Sequence, residues 1–356
     1  MNKVSRRSIL KSAAGLLALG APMVLRAQAA TKQLVVSGWG GTFQDAMRKA
    51  LFEPFSKETG IRVVEVTYGG QGLARVKAQV DAGKVEVDLM DGPPFWPIMG
   101  ASQGLLQKMD LSGIADAGSH LQGAIGDHGY GYAATSWGMA YNTKTFAKGG
   151  PKTWKDFWDT EGYKGRRAFF GGVAVRHLEY ALLADGVPAA QVNPMDGAKV
   201  DRAFAKLEQI KGRIAVWYQT NAQMESLLVN GEIDLGELTS NRAHFLGTQG
   251  APIQFQYNEA VMNQLLLVMA KDAPNKANAE AFLRFCSRPD RQAELATITF
   301  TGPSNSRALA MIKDESLLRT LPTSPHNLQQ QVQLDSRFWA ANLAALGPRW
   351  AQLTSQ

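Results

Sequence analysis

Cysteine is almost missing from this chain. Cys286 is the sole example in 356 residues, so no internal disulfide can staple the fold and no thiolate cluster can hold a soft metal. Its setting, AFLRFC, places it on the apolar side of a helical pattern and reads as a small core residue. Histidine is sparse and scattered, at His120, His128, His177, His244 and His326, with no His-Glu-x-x-His pair. Neither a Gly-x-Ser-x-Gly elbow nor a phosphate-cradling P-loop occurs, and no nucleophile stands at useful spacing from His177, so the parts of an enzyme are not there. Gly129-x-Gly131-x-x-Ala134 loosely matches a dinucleotide fingerprint, but Trp137-Gly138 interrupts the helix that such a loop must open. Beyond residue 30 no apolar run approaches the ~20 residues that cross a bilayer.

Charge is also scarcer than the total implies. The formal net charge is +7, but residues 1–29 hold five of the 38 basic residues and no acid, and without them the balance is +2. That removes most of the electrostatic case for a nucleic-acid partner. The same segment has an order of its own: Ser5-Arg6-Arg7-Ser8-Ile9-Leu10-Lys11, a mildly apolar run from Ala13 to Leu25, then Ala27-Gln28-Ala29 with the small-x-small form of a cleavage site. Residues 1–29 read as a cleaved twin-arginine export signal, the alternative being a basic start before an anchor helix. The residue after the expected cleavage site is not a cysteine that could take a lipid.

What is present is an α/β pattern organised around Gln33 to Ile61. Leu34, Val35 and Val36 form an apolar run of parallel-strand type. Ser37-Gly38-Trp39-Gly40-Gly41 ends it, and Phe43, Ala46, Met47, Ala50, Leu51 and Phe55 then recur at helical spacing, with Thr42 as expected N-cap, Pro54 as a kink or restart and Gly60 as the stop. In an open α/β sheet ligands sit beyond the carboxyl ends of strands, which puts Trp39, Gly40 and Gly41 at a site. The missing side chains admit a ligand to the backbone, and a helix start offers free N–H groups to an anion. The bland alternative is a tight turn with a core tryptophan.

Strands are expected at Ile61–Tyr68 and Val85–Met90, with helices over Gln71–Ala82 and Phe95–Gln103. Asp91-Gly92-Pro93-Pro94 is the loop at a carboxyl end. Gly129–Asn142 is extended, apolar and aromatic, and reads as a strand crossing between domains. A second α/β unit follows: strand 167–170, helix His177–Ala184, helix Asp196–Ile210, strand Ile214–Trp217, helix Thr220–Val229, strand Ile233–Leu238 and helix Asn241–Gln249. Two further strands are expected at Ile253–Tyr257 and Gln264–Ala270, then helices at Asn278–Cys286 and Pro289–Thr297, and a mostly helical tail beyond Ser306.

With these elements in order, the chain resembles the periplasmic solute-binding proteins of ABC importers, in the branch that includes the spermidine/putrescine-binding proteins. The resemblance is carried by Trp39-Gly40-Gly41, LFEPFSKETGI, VEVDLMDGPP, Gln103-Gly104-Leu105-Leu106, SWGMAYN, KTWKDFWDTEGYKGR, LLVNGEIDLGEL, and NAEAFLRFCSRPDRQAE ahead of Gly302-Pro303-Ser304-Asn305, from about residue 34 to 310. It implies a two-lobed periplasmic binding fold. Each lobe is a mostly parallel sheet flanked by helices, two crossing strands form the hinge, and closure traps a solute. The expected lobes are 30–136 with 250–305, and 137–249 with 306–356. The implied protein is a periplasmic monomer that hands a small molecule to a membrane permease driven by an ATPase, without cofactor or metal. Ferric-ion binders of the same fold resemble one another in a pair of adjacent tyrosines, and no Tyr-Tyr occurs here.

The departures bear on the ligand. Where the polyamine branch has an acid and a tyrosine after the first tryptophan, this chain has Gly41 and Thr42. Where acids hold ammonium groups in the second lobe it has Val173 and Arg176. After VNGEIDLGEL it has Thr239 and Asn241, with Arg242 adjacent. Burying a polycation without carboxylates leaves charges unpaired, at several kcal/mol each. The expected ligand is therefore a carboxylate- or phosphonate-bearing amine such as an ω-amino acid. Arg176 would serve as a bidentate anion clamp, Asp91 beside Gly92 as the amine partner, and Trp39, Trp217 and Tyr218 as apolar walls. A true polyamine binder is the alternative. For Arg176 the competing role is a surface residue or an inter-lobe ion pair, for Trp217 plain core, and for Arg242 a surface arginine.

Overall fold

The computed structural model describes residues 32–355. The expected export signal over residues 1–29 lies outside them. The strands of four or more residues are β1 (Gln33–Gly38), β2 (Arg62–Thr67), β3 (Leu89–Gly92), β4 (Gly129–Asn142), β5 (Arg167–Phe170), β6 (Ile214–Tyr218), β7 (Leu235–Thr239) and β8 (Ile253–Met269). They hydrogen-bond in the order β2-β1-β3-β8-β4-β7-β5-β6. β1 is parallel to β2 and β3, and β5 is parallel to β6 and β7. Each parallel trio meets the antiparallel pair β4–β8 at its inner edge.

That central pair makes two lobes out of one sheet. A 14-residue strand is about 46 Å long and a 17-residue strand about 56 Å, enough for each to serve both halves. β4 breaks register between Trp137 and Met139, where the bulge re-aims the strand. Gly138 sits in that break, and a Cβ there would stand 2.6 Å from the Phe255 ring. Two separate strands were expected over 253–257 and 264–270. They are one strand, which runs on through a bulge opposite Gly138 where Glu259 takes φ 64°.

In the first lobe the helix after β1 is continuous, with α1 (Gly41–Met47), one π turn (Arg48–Phe52) and α2 (Glu53–Thr59). Pro54 falls in the first turn of α2, where its missing N–H costs least once the π turn has reset the ladder. Gly60 ends it in the left-handed conformation, as read. Phe52 and Phe55 pack on Phe282 and Phe285 of α3 (Lys276–Cys286), and the buried Cys286 belongs to that cluster.

β3 begins four residues later than expected. Asp88 takes part in this: its buried carboxylate accepts from Val35 N at 2.7 Å and from Asn275 N and Nδ2 at 2.7 and 2.9 Å, so Val35 N is spent on a side chain, while Glu86 N donates to Gln79 Oε1 at 3.0 Å.

In the second lobe Arg167 is buried with its guanidinium on the carbonyls of Phe157, Asp159, Tyr163 and Gly165 at 2.6–3.0 Å, which folds the KTWKDFWDTEGYKGR stretch around it. Helix α4 (His177–Ala184) covers β5. The tail divides. Residues Ala308 to Leu321 pack on Ala293 and Ala296 of the 289–299 helix, in the first lobe, whereas the expected boundary gave everything beyond 306 to the second. The last helix, α5 (Ser336–Thr354), lies on the second lobe, with Trp339 Nε1 donating to Glu179 at 2.7 Å and Trp350 Nε1 to the Gly171 carbonyl at 2.7 Å.

Candidate ligand cleft

Register brings the carboxyl ends of both trios to the middle of the crossing pair. Asp91 and Gly92 lie opposite Leu267 and Leu266 of β8. Thr239, at the end of β7, lies opposite Trp137 of β4, which lies opposite Val261. Sequence-distant groups therefore converge on a short stretch of β4 and β8.

On the first lobe Trp39 is 45% exposed and overhangs Gly69 and Gly70, where a Cβ would stand 3.9 and 3.8 Å from its ring. Beneath it Asp91 is buried, and both its carboxylate oxygens lack a regular hydrogen bond. Burial pushes that carboxyl up to about 7; the Tyr132 hydroxyl and the Trp39 indole N–H approach it and draw it part of the way back.

The other first-lobe candidates take different parts. Gly40, not Thr42, holds the N-cap position of α1, at φ 78°, and its N–H donates to Gln44 Oε1 at 2.8 Å. That donor is spent within the helix, which corrects the expectation of a free N–H there. Gly41 has φ 64° with open space around it, and Thr42 is exposed in the first turn. Gly92 is a packing residue: a Cβ there would meet the buried Trp96 ring at 2.1 Å.

The second lobe turns on Arg176, which is buried and sits at φ 69° ahead of α4. Its Nε donates to Glu237, and its guanidinium lies 4.7 Å from the Trp137 ring and 5.1 Å from the Phe170 ring. This is an ion pair within one lobe, not between lobes. Glu237, on β7, is fully enclosed. Burial raises its carboxyl, but the Arg176 charge and His177, whose Nε2 stands 2.9 Å from the second oxygen, outweigh that and leave it at about 2. Burial lowers the His177 imidazole, so it stays neutral near pH 7.

Trp217 is half-buried, edge-on to Trp350 at 5.7 Å, with its indole N–H unpartnered. Thr239 stands at the start of the 240–248 helix without capping it, and its hydroxyl is buried and unpartnered. Asn241 follows, half-buried. Tyr218 is fully enclosed, with its hydroxyl given to the Glu237 carbonyl at 3.0 Å. It is core and offers a ligand no surface, which corrects its reading as a wall. Arg242 is committed to Glu225.

Two polar residues escaped the sequence reading. Glu237 is an acid in the middle of an apolar strand, LGELT, and such a residue demands a buried partner. Asn263 lies in β8, with its Nδ2 on Thr135 Oγ1 at 3.1 Å and its Oδ1 unpartnered. It stands about 7 Å along the strand from Val261 and about 13 Å from Leu267, between the Arg176 and Asp91 levels. The cleft thus has unpartnered acceptors on one side and a guanidinium with an unpartnered hydroxyl and indole N–H on the other.

Comparison with known proteins decides the class. Residues 50–320 match the family model for bacterial extracellular solute-binding proteins. The chain belongs to that family. A gamma-aminobutyric acid-binding protein of Pseudomonas aeruginosa is 31% identical over 322 residues, 90% of each chain. The crystal structure of an ABC transporter substrate-binding protein from Bradyrhizobium japonicum superposes with a TM-score of 0.85 at 33% identity, covering 91% of this chain and 99% of that one. A spermidine/putrescine-binding periplasmic protein of Escherichia coli is 24% identical over 275 residues, 71% of this chain and 74% of that one. This is an ABC-type solute-binding protein with the two-lobed fold, acting outside the cytoplasm, and not an enzyme.

Proposed function

We propose that the solute is an ω-amino acid, held by its ammonium group against Asp91 and Asn263 and by its carboxylate against Arg176 and Thr239. The observation that carries this is the pairing of an unpartnered buried acid on one lobe with a ring-held guanidinium on the other. The name of the Pseudomonas aeruginosa relative supports the same class and makes 4-aminobutanoate the first ligand to try. A phosphonate in place of the carboxylate would use the same fork. The alternative, a polyamine, would place an ammonium against Arg176, and like charge at a buried site costs several kcal/mol. The Escherichia coli relative named for polyamines is also more distant than the Pseudomonas aeruginosa one, at 24% against 31% identity.

Capture works by closure about the break in β4. Ligand contacts to both lobes favour the closed form by their differential affinity. The closed monomer then docks on its permease, whose ATPase drives import, after twin-arginine export and cleavage near residue 29. Micromolar affinity, about −8 kcal/mol, suffices.

The test is isothermal titration of residues 30–356 with 4-aminobutanoate, 5-aminopentanoate, 3-aminopropylphosphonate, putrescine and spermidine. Binding of the first two or of the phosphonate supports the assignment; heat with the polyamines alone overturns it.

A further inference from the structure

The Arg176–Glu237 pair is more than a fold contact. Glu237 sits inside the second lobe, its first oxygen taken by Arg176 Nε and its second facing His177 Nε2 at 2.9 Å. The guanidinium is further fixed between the Trp137 and Phe170 rings. Gripping an arginine through Nε leaves its terminal nitrogens as the donors for a ligand, with the Tyr218 phenol beside the guanidinium and the two rings packed against it. The same contact balances the arginine's charge within the lobe, with the guanidinium remaining the positive end of the pair. The remaining ionisable neighbours on this wall are the imidazole of His177, the phenols of Tyr180 and Tyr218, and the Glu179 carboxyl behind them on Trp339. None adds a positive charge near pH 7.

We infer that Glu237 is a positioning residue that sets ligand charge specificity: it aims Arg176 at a single carboxylate and removes the surplus positive charge that a dianion would need. This rests on the ω-amino acid reading above. The consequence is discrimination within a set of equal chain length. 4-Aminobutanoate brings one charge of each sign to matched partners. Succinate brings a second carboxylate against Asp91 with no spare cation to offset it, and 1,4-diaminobutane brings an ammonium against Arg176. Rejection comes from the mismatched charge, not from added attraction to the right ligand.

The experiment is isothermal titration of residues 30–356 with those three compounds, in wild type, Glu237→Gln and Glu237→Asp. Wild type is expected to bind 4-aminobutanoate at least 100-fold more tightly than succinate. Glu237→Gln keeps the shape and drops the charge, so the succinate-to-aminobutanoate ratio of Kd should fall at least tenfold. Glu237→Asp keeps the charge and displaces the fork, so 4-aminobutanoate should weaken about tenfold while diaminobutane, which does not use the fork, stays within threefold. A merely structural Glu237 would move all ligands together. An unchanged ratio in Glu237→Gln, or parallel losses in Glu237→Asp if the glutamine variant does not fold, overturns this inference alone. Wild type that binds none of the three overturns the ω-amino acid reading and this inference with it.

Discussion

Asp91→Asn should raise the stability of the empty protein while abolishing capture. Asp91 is buried without a regular hydrogen bond, and its carboxyl lies at about 7 against a usual 3.8. The folded chain therefore holds this proton more tightly than the unfolded chain does. Stability falls as pH rises from about 4 through 7, and above 7 the ionised group costs on the order of 4 kcal/mol. Asparagine removes that cost, so at pH 8 the ligand-free variant should melt several degrees higher, and the slope of its melting temperature between pH 4 and 8 should flatten. Tyr132, whose phenol burial keeps protonated, and Trp39 are the polar groups facing this carboxyl. Binding moves the opposite way. An ammonium ligand needs Asp91 ionised, so wild-type affinity should fall about tenfold per pH unit below 7, with proton release on binding at pH 6. Differential scanning calorimetry and isothermal titration in buffers of different ionisation heat read both quantities. An asparagine variant that keeps wild-type affinity, or one that is less stable at pH 8, would refute the reasoning.

Three further outcomes are expected. Arg176→Met strands the Glu237 carboxylate and should cost about 3–5 kcal/mol of stability in urea unfolding, while the double variant Arg176→Met/Glu237→Met should recover most of the stability and none of the ω-amino acid binding. Gly92→Ala drives a methyl into the Trp96 ring and should cost about 1–3 kcal/mol of stability, read as a lower urea midpoint. Trp39→Ala, at a half-exposed site, should leave stability within about 1 kcal/mol of wild type and weaken ligand binding at least tenfold by titration.

Much of the fold was legible from local pattern. The β1–glycine–helix unit, the crossing strand 129–142, the strand 167–170 and the helix 177–184 fall where periodicity placed them, because each carries a full apolar face and its own stop signal. Legibility failed where a distant partner outvoted the local pattern. Asp88 bonds to Val35 and Asn275, and this takes part in the late start of β3. Residues 308–321 follow α-helical punctuation yet pack back on the first lobe. Among the candidate site residues, the Trp39 indole and the Asp91 carboxyl face one another, which no local pattern states, and Tyr218 reads as a wall only until its hydroxyl is found on a buried carbonyl.

The sequence by itself determined the class. Periodicity specifies two α/β units, and the ordered run of family segments assigns them to solute capture, since both depend only on residue types at short spacing. Tertiary structure decided the charge of the cleft. Arg176 and Glu237 are 61 residues apart, and nothing local in either segment says that they pair. Pairing turns an apparent surplus cation into a charge-balanced, oriented fork. Coulombic energy depends on distance in space, and distance in space between remote residues is what a linear pattern does not carry.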